Sequence, residues 1–511
     1  MDATPRNIQS KIIKDAAFLN TATLVNQGLQ FIKSLFIFRF LDPYAYGLWM
    51  GLQVLLNYST YAGLGIEQGM LFRIPYHQAR GDEERVEEIV FTSFVVWSGL
   101  TLVFAAGVLL YGLFMPTVEG VVRLGLVIMA AIIMVEQQIN YFTRWHTTYR
   151  KDFVILGVSR ALRGILLFGI AVPLAYFFNV SGLMAAVLAV TLVILIYVRI
   201  KTPIDLKLVI SKPVLIELYQ FGFPILVIAL LRLVLETVDR IMILRFLGVE
   251  SLGFYGITTY ASSTFYPFVA IAGSTFLPHI IDALGRSQDH APALEKYLLK
   301  PTLMFSYISA WGIMAVSAVI PLFVRFWSPK YIPGIPAFYA FIPGIFFLSI
   351  IILANNTLVT VLGTQNRQRV AVAVQAISVA IKAGLTIMFI SLGWDLFGVG
   401  LASTLAYAIY GVTILWMAAR QVMPERGSRI RFILNTLVPG IYCLAATPLI
   451  IWLASGLFVN QVVLRMLTLL VLTVFAGLPM LWALNRQVDF KSELGPLVTE
   501  FKQKILSRIG H

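Results

Sequence analysis

Residues 38–49 read Phe38-Arg39-Phe40-Leu41-Asp42-Pro43-Tyr44-Ala45-Tyr46-Gly47-Leu48-Trp49, and residues 244–255 read Leu244-Arg245-Phe246-Leu247-Gly248-Val249-Glu250-Ser251-Leu252-Gly253-Phe254-Tyr255. Both stretches end one apolar run and open the next. They share Arg-Phe-Leu, a glycine six residues later and an aromatic two beyond that. The offset is 206 residues, and it still pairs Arg80 with Arg286 past the following helix. A gap-free offset across two helices marks an internal repeat. Six apolar spans separate the copies, an even number, so both copies enter the membrane from the same side. The repeat is therefore parallel, with a pseudo-twofold axis along the membrane normal.

Composition places the repeat in lipid. Of the 511 residues, 59% are hydrophobic and 13% charged, with a mean hydropathy of +0.84; a soluble chain carries about 25% charge. A bilayer-spanning helix needs about 20 mostly apolar residues. Fourteen such stretches occur, near 16–40, 44–72, 90–113, 118–142, 153–176, 180–200, 217–244, 252–276, 301–325, 335–361, 370–392, 396–419, 432–455 and 462–484. The alternation of a β-barrel is absent. The expected fold class is an all-α membrane protein with fourteen transmembrane helices. Residues 1–200 form an N-lobe of six, 201–216 a cytoplasmic connector, 217–420 a C-lobe of six, and 432–484 an appended helix pair. Residues 485–511 alternate charged and apolar positions at helical spacing, as in an amphipathic tail at the membrane surface.

The net charge of +14 follows the positive-inside rule rather than a nucleic-acid partner. With the N-terminus inside, cytoplasmic segments hold 27 Lys/Arg and external loops six. Both termini then lie in the cytoplasm of a multi-pass protein of the cytoplasmic (inner) membrane. The single cysteine, Cys443, sits within a span, so no disulfide framework or thiolate metal site is expected. The first span is too long and too polar for a cleaved signal core.

The run Glu236-Thr237-Val238-Asp239-Arg240-Ile241-Met242-Ile243-Leu244-Arg245-Phe246-Leu247-Gly248, followed by Leu252-Gly253-Phe254-Tyr255, resembles a signature of polysaccharide-unit flippases of the Wzx type, which serve O-antigen and exopolysaccharide synthesis. Phe221-Gly222-Phe223-Pro224 ahead of it and Phe276-Leu277-Pro278 after it also look like that family. Its superfamily also holds multidrug exporters and lipid II flippases. The resemblance implies alternating access of two six-helix lobes around a central cleft. The implied cargo is an oligosaccharide linked to polyprenyl pyrophosphate, of the undecaprenyl type, with a polysaccharide polymerase or export complex as partner.

An ionisable side chain within a span is costly unless paired or hydrated, so each is a functional candidate. The basic ones are Lys33, Arg160, Arg163, Arg232, Arg240 and Lys382; the acidic ones are Glu67, Glu136, Glu236 and Asp239. On the seventh span Arg232, Glu236, Asp239 and Arg240 share one arc at about 100° per residue. That stripe is either an ion-pair ladder at i, i+4 spacing or a coupling and gating element. Arg163 and Lys382 lie near mid-span on equivalent helices of the two lobes, with Arg160 one turn from Arg163. Lys33 occupies the repeat position of Asp239. Cations from both lobes suit one shared pyrophosphate, which arginine binds bidentately. Arg163, Lys382, Arg232, Arg160 and Lys33 are thus expected to bind substrate; Glu236, Asp239 and Arg240 are expected to couple or gate. Tyr58, Tyr61, Tyr255, Tyr260 and Tyr266 suit sugar stacking, though packing explains them as well.

No cofactor or metal site is expected. The five histidines lack metal spacing, and neither a Walker lysine motif nor a Gly-rich dinucleotide turn occurs. External loops are too short for an enzyme that joins sugars. A multidrug–cation antiporter on the same fold is the main alternative, and the cationic bias within the spans speaks against it.

Overall fold

The computed structural model describes residues 5–116, 120–202, 207–263, 299–364, 368–456 and 461–488, and no strand occurs among them. The helices are α1 (Pro5–Phe40), α2 (Pro43–Ser59), α3 (Ile66–Ala79), α4 (Glu83–Phe114), α5 (Gly120–Thr148), α6 (Val154–Leu166), α7 (Val172–Ile200) and α8 (Lys212–Phe246). They continue with α9 (249–263), α10 (Lys300–Trp327), α11 (Ile335–Thr364), α12 (Gln368–Ser391), α13 (Asp395–Val422), α14 (Arg426–Ser455) and α15 (Val462–Val488). Ten stretches among the described residues are long and apolar enough to cross a bilayer. Large apolar side chains stand in the open along them: Val103, Phe114, Trp452 and Phe475 are each more than 60% exposed. Water penalises such a surface and hydrocarbon demands it. The protein is an all-α, multi-pass membrane protein.

Breaks in the helices fall where the backbone chemistry puts them. Asp42 caps α2, its carboxylate accepting from the Ala45 N–H at 2.8 Å, and Pro43 starts the first turn. The expected second span, 44–72, is not one helix. It breaks after Ser59 and resumes at Ile66, because Leu64 (φ 49°) and Gly65 (φ 99°) take left-handed backbone. The apolar run Val154–Ile200 has 47 residues, about 70 Å of continuous helix, far beyond one crossing. It turns at Asn179 (φ 56°, ψ −141°), between the two spans expected there.

Contacts gather the chain into two units, Met1–Gly256 and Ile257–His511. In the first, α4 packs on α5 around fully buried Trp97 and Tyr141, and the Tyr141 hydroxyl donates to the Val90 carbonyl at 2.6 Å. Helix α1 lies along α6. The two copies of the repeat motif also touch. A Cβ on Gly47 would stand 1.9 Å from the Val249 carbonyl oxygen, and one on Gly253 1.7 Å from that of Pro43. The offset of 206 carries Gly47 to Gly253 and Pro43 to Val249, so each half of the contact maps onto the other. That reciprocity is the mark of a local twofold axis, and only glycine lets the two backbones approach so closely.

In the second unit α11 lies against α13, tied by the buried Thr404 hydroxyl, which donates to the Ala340 carbonyl at 2.7 Å and accepts from the Gly344 N–H at 3.1 Å. The appended pair α14–α15 is held by the Tyr442 hydroxyl on the Ala476 carbonyl at 2.9 Å. Trp311 of α10 donates to the Thr473 carbonyl at 2.9 Å. The tail beyond Val488, Tyr266, the Phe276–Pro278 motif and Arg286 lie outside the described residues.

Candidate functional site

Two arginines of α6 point in different directions from one turn. Arg163 donates from Nη1 to Glu136 Oε1 of α5 at 2.8 Å, with side chains 26% and 16% exposed. Arg160 donates to the Thr23 hydroxyl of α1 at 3.0 Å. The positive charge of Arg163 also acts on Arg160, so the pair is held close against mutual repulsion. A π-helical turn, Leu167–Ala171, follows immediately; such turns recur at functional positions because they re-aim the side chains before them. Two buried acceptors here have no donor among the described residues: Glu136 Oε2 and Asn26 Oδ1, the latter lying against Gly164. Lys33 of α1, half-buried, has no ion-pair partner among the described residues.

The stripe on α8 is split by its environment. Arg232 Nε donates to Glu236 Oε1 at 3.0 Å, the first rung of the expected ladder. Glu236 and Arg240 form no second rung. Asp239 is buried instead, its Oδ2 accepting from the Tyr255 hydroxyl and its Oδ1 from the Arg240 N–H, both at 2.9 Å. The Arg240 charge acts on the Tyr46 hydroxyl. Tyr61 stands in the field of Arg232, Glu236 and Glu67. Tyr58 shares a 3.0 Å hydrogen bond with Thr237. Tyr58 and Tyr255 therefore spend their hydroxyls on the protein itself.

Lys382 lies in the second unit, on α12, fully enclosed. Its Nζ sits 4.8 Å from the centroid of the Tyr407 ring and donates to the Tyr407 hydroxyl at 3.4 Å. A cation over an aromatic face gains about 2 kcal/mol where water is excluded, which offsets part of the cost of burying it.

Arg160, Arg163, Lys33, Arg232, Glu236, Asp239 and Arg240 thus belong to one unit, and Lys382 to the other. Sequence reasoning missed Arg144, whose guanidinium pairs with Glu67 across 77 positions, and the carboxylate Glu217, bonded to Arg73, His77 and Arg85. No spacing rule links partners so distant. The available signal was that an in-span Glu67 needs a cation.

A family profile described as polysaccharide biosynthesis protein matches residues 12–284. Among solved structures, the chain is similar to the lipid II flippase MurJ in an inward closed conformation. The TM-score is 0.68 at 16% identity, covering 92% of this chain and 99% of that one. It is also similar to the Vibrio cholerae MATE transporter VcmN, in a mutant form, with a TM-score of 0.58 at 14% identity over 82% and 97%. An inward-facing multidrug resistance MATE family transporter gives 0.55 at 15% identity over 78% and 98%. At these identities the likeness is one of fold. No curated protein sequence matches the chain.

Proposed function

The chain belongs to the polysaccharide biosynthesis protein family, and from that membership we propose that it is a flippase. It carries an oligosaccharide repeat unit linked to polyprenyl pyrophosphate across the cytoplasmic membrane by alternating access, for surface polysaccharide synthesis. In this reading fourteen spans form two six-helix lobes and a helix pair, both termini are cytoplasmic, and translocation makes or breaks no covalent bond. A complex with the polymerase that uses the delivered unit fits the same role.

One observation carries the substrate class. Lys33, Arg160 and Arg240 hold positive charge within spans with no ion-pair partner among the described residues, while Arg163 and Arg232 each hold one carboxylate. A cation left unpaired in a low-dielectric site awaits an anion. A diphosphate supplies it and suits the guanidinium fork. Lys382, enclosed against Tyr407 in the second unit, stands outside this observation. The same surplus of cations disfavours an antiporter for cationic drugs. The test is deletion of the gene with mass spectrometry of the lipid-linked glycans by leaflet. We expect one intermediate to accumulate on the cytoplasmic leaflet; unchanged glycan lipids would overturn the reading.

A further inference from the structure

Helix α8 is claimed by two lobes. The repeat makes it the first helix of the second six-helix set, yet its packing lies with α3, α4 and α2 inside the unit Met1–Gly256. Its first third is held there by an ionic cluster. Glu217 Oε1 accepts from Arg73 and from His77 Nε2 (3.0 Å), and its Oε2 accepts from Arg85 Nη2 at 2.9 Å. Arg85 also bonds Glu88 at 2.6 Å, and His77 Nδ1 faces Asp82 Oδ2 at 3.3 Å. Arg73 stacks on Tyr76 and on Phe221 of α8, at 4.4 and 4.7 Å from the ring centroids. The Ser211 N–H donates to the Thr92 hydroxyl at 3.0 Å, fastening the start of α8 to α4.

Beneath this cluster the helices meet backbone to backbone. A Cβ on Gly222 would lie 1.9 Å from the Gly65 carbonyl oxygen, and one on Gly69 2.5 Å from that of Leu218. Pro224 follows Gly222 by two residues and cannot bond the Gln220 carbonyl, so α8 has a built-in bending point just past the docked segment.

We propose that Glu217 with Arg73, His77 and Arg85 is a releasable latch. It holds the first third of α8 against α3 and α4, and it opens at Pro224 when α8 moves with the second lobe to admit substrate. The proposal rests on the flippase reading and on the charge bias that puts this end in the cytoplasm.

Two features suit release rather than permanent packing: the hydration of the ion pairs and the place of the bend. The ion pairs are partly hydrated, with Glu217, Arg73 and Arg85 side chains 15%, 16% and 25% exposed. Separation therefore exchanges protein partners for water instead of stranding charge. The seam below brings backbone to backbone at Gly222 and Gly69, beside the buried side chains of Val214 and Leu218. The bend lies directly beyond the seam, so opening needs no loss of the helix that follows.

The test uses the full chain in membrane vesicles and a water-soluble maleimide. Leu218 is fully buried in the seam; in the Leu218→Cys, Cys443→Ser chain it should label slowly. Adding Glu217→Gln should raise the rate by about tenfold or more, as loss of a charged latch bond raises local opening. Arg85→Gln should raise it less. Gly222→Ala should raise it with every charge in place, because the seam cannot close over the new methyl. Native Cys443, buried in the other unit, should stay protected in the Glu217→Gln chain. Equal Leu218→Cys labelling with and without Glu217→Gln would overturn the latch, and so would loss of Cys443 protection in each variant. The flippase reading fails separately, if gene deletion leaves the glycan lipids unchanged.

Discussion

Replacing Glu136 with Gln removes the carboxylate that holds Arg163 at 2.8 Å, the one such partner among the described residues, and leaves the guanidinium without that counter-charge. Breaking a buried pair costs about 3–5 kcal/mol. With side chains 26% and 16% exposed, water screens part of this, and we take about 2–3 kcal/mol for Glu136→Gln. Arg163→Gln should cost a similar amount, since it leaves the Glu136 carboxylate without its partner in the same place. The double variant replaces two charges with two amides able to hydrogen-bond each other, and should recover most of the stability. Export of the glycan should behave differently. If Arg163 exchanges Glu136 for substrate phosphate, Glu136→Gln keeps export wherever the protein accumulates. Both variants lacking Arg163 lose it, the stable double included. The assays are thermal unfolding of the detergent-solubilised chain, its abundance in membranes, and surface polysaccharide in a deletion strain. Normal export by the stable double variant would refute the reasoning and reduce the pair to a structural tie.

Gly47→Ala and Gly253→Ala should destabilise by similar amounts, at least the roughly 1–3 kcal/mol of an overpacked contact, because the repeat gives them the same environment; full abundance of either would deny the close approach of α2 and α9. Tyr255→Phe should cost about 1–3 kcal/mol by leaving a buried Asp239 oxygen without its donor, and Tyr255→Phe combined with Asp239→Asn should recover part of that, as unfolding midpoints would register. Substrate translocation in reconstituted vesicles should accelerate under an imposed pH gradient, and Glu236→Gln should abolish the acceleration; indifference of the unaltered protein to the gradient would leave the Arg232–Glu236 pair as a tie or gate.

By itself the sequence determined that this chain is a multi-pass helical membrane protein. Lipid leaves no choice there: backbone polar groups in hydrocarbon must be satisfied within the segment, so long apolar runs become helices wherever they end up. It also determined the duplication, because 206 residues carry Arg39 to Arg245 and Gly47 to Gly253 without a gap. The division of the Val154–Ile200 run was legible in its length, and the Wzx-type motif around Asp239 was enough to anticipate the family. Tertiary structure decided the rest. The break between Ser59 and Ile66 depends on left-handed backbone at Leu64 and Gly65, which the apolar pattern conceals. The stripe on α8 looked like a ladder at helical spacing, yet only Arg232–Glu236 closes, while the buried Asp239 takes the Tyr255 hydroxyl. Glu67 found Arg144, Glu136 found Arg163, and Glu217 found Arg73, His77 and Arg85. Hydrophobic patterning fixes which segments leave water, and it is indifferent to their neighbours. Which charge meets which is settled only when helices pack, since each buried charge takes whatever partner the fold brings within about 3 Å.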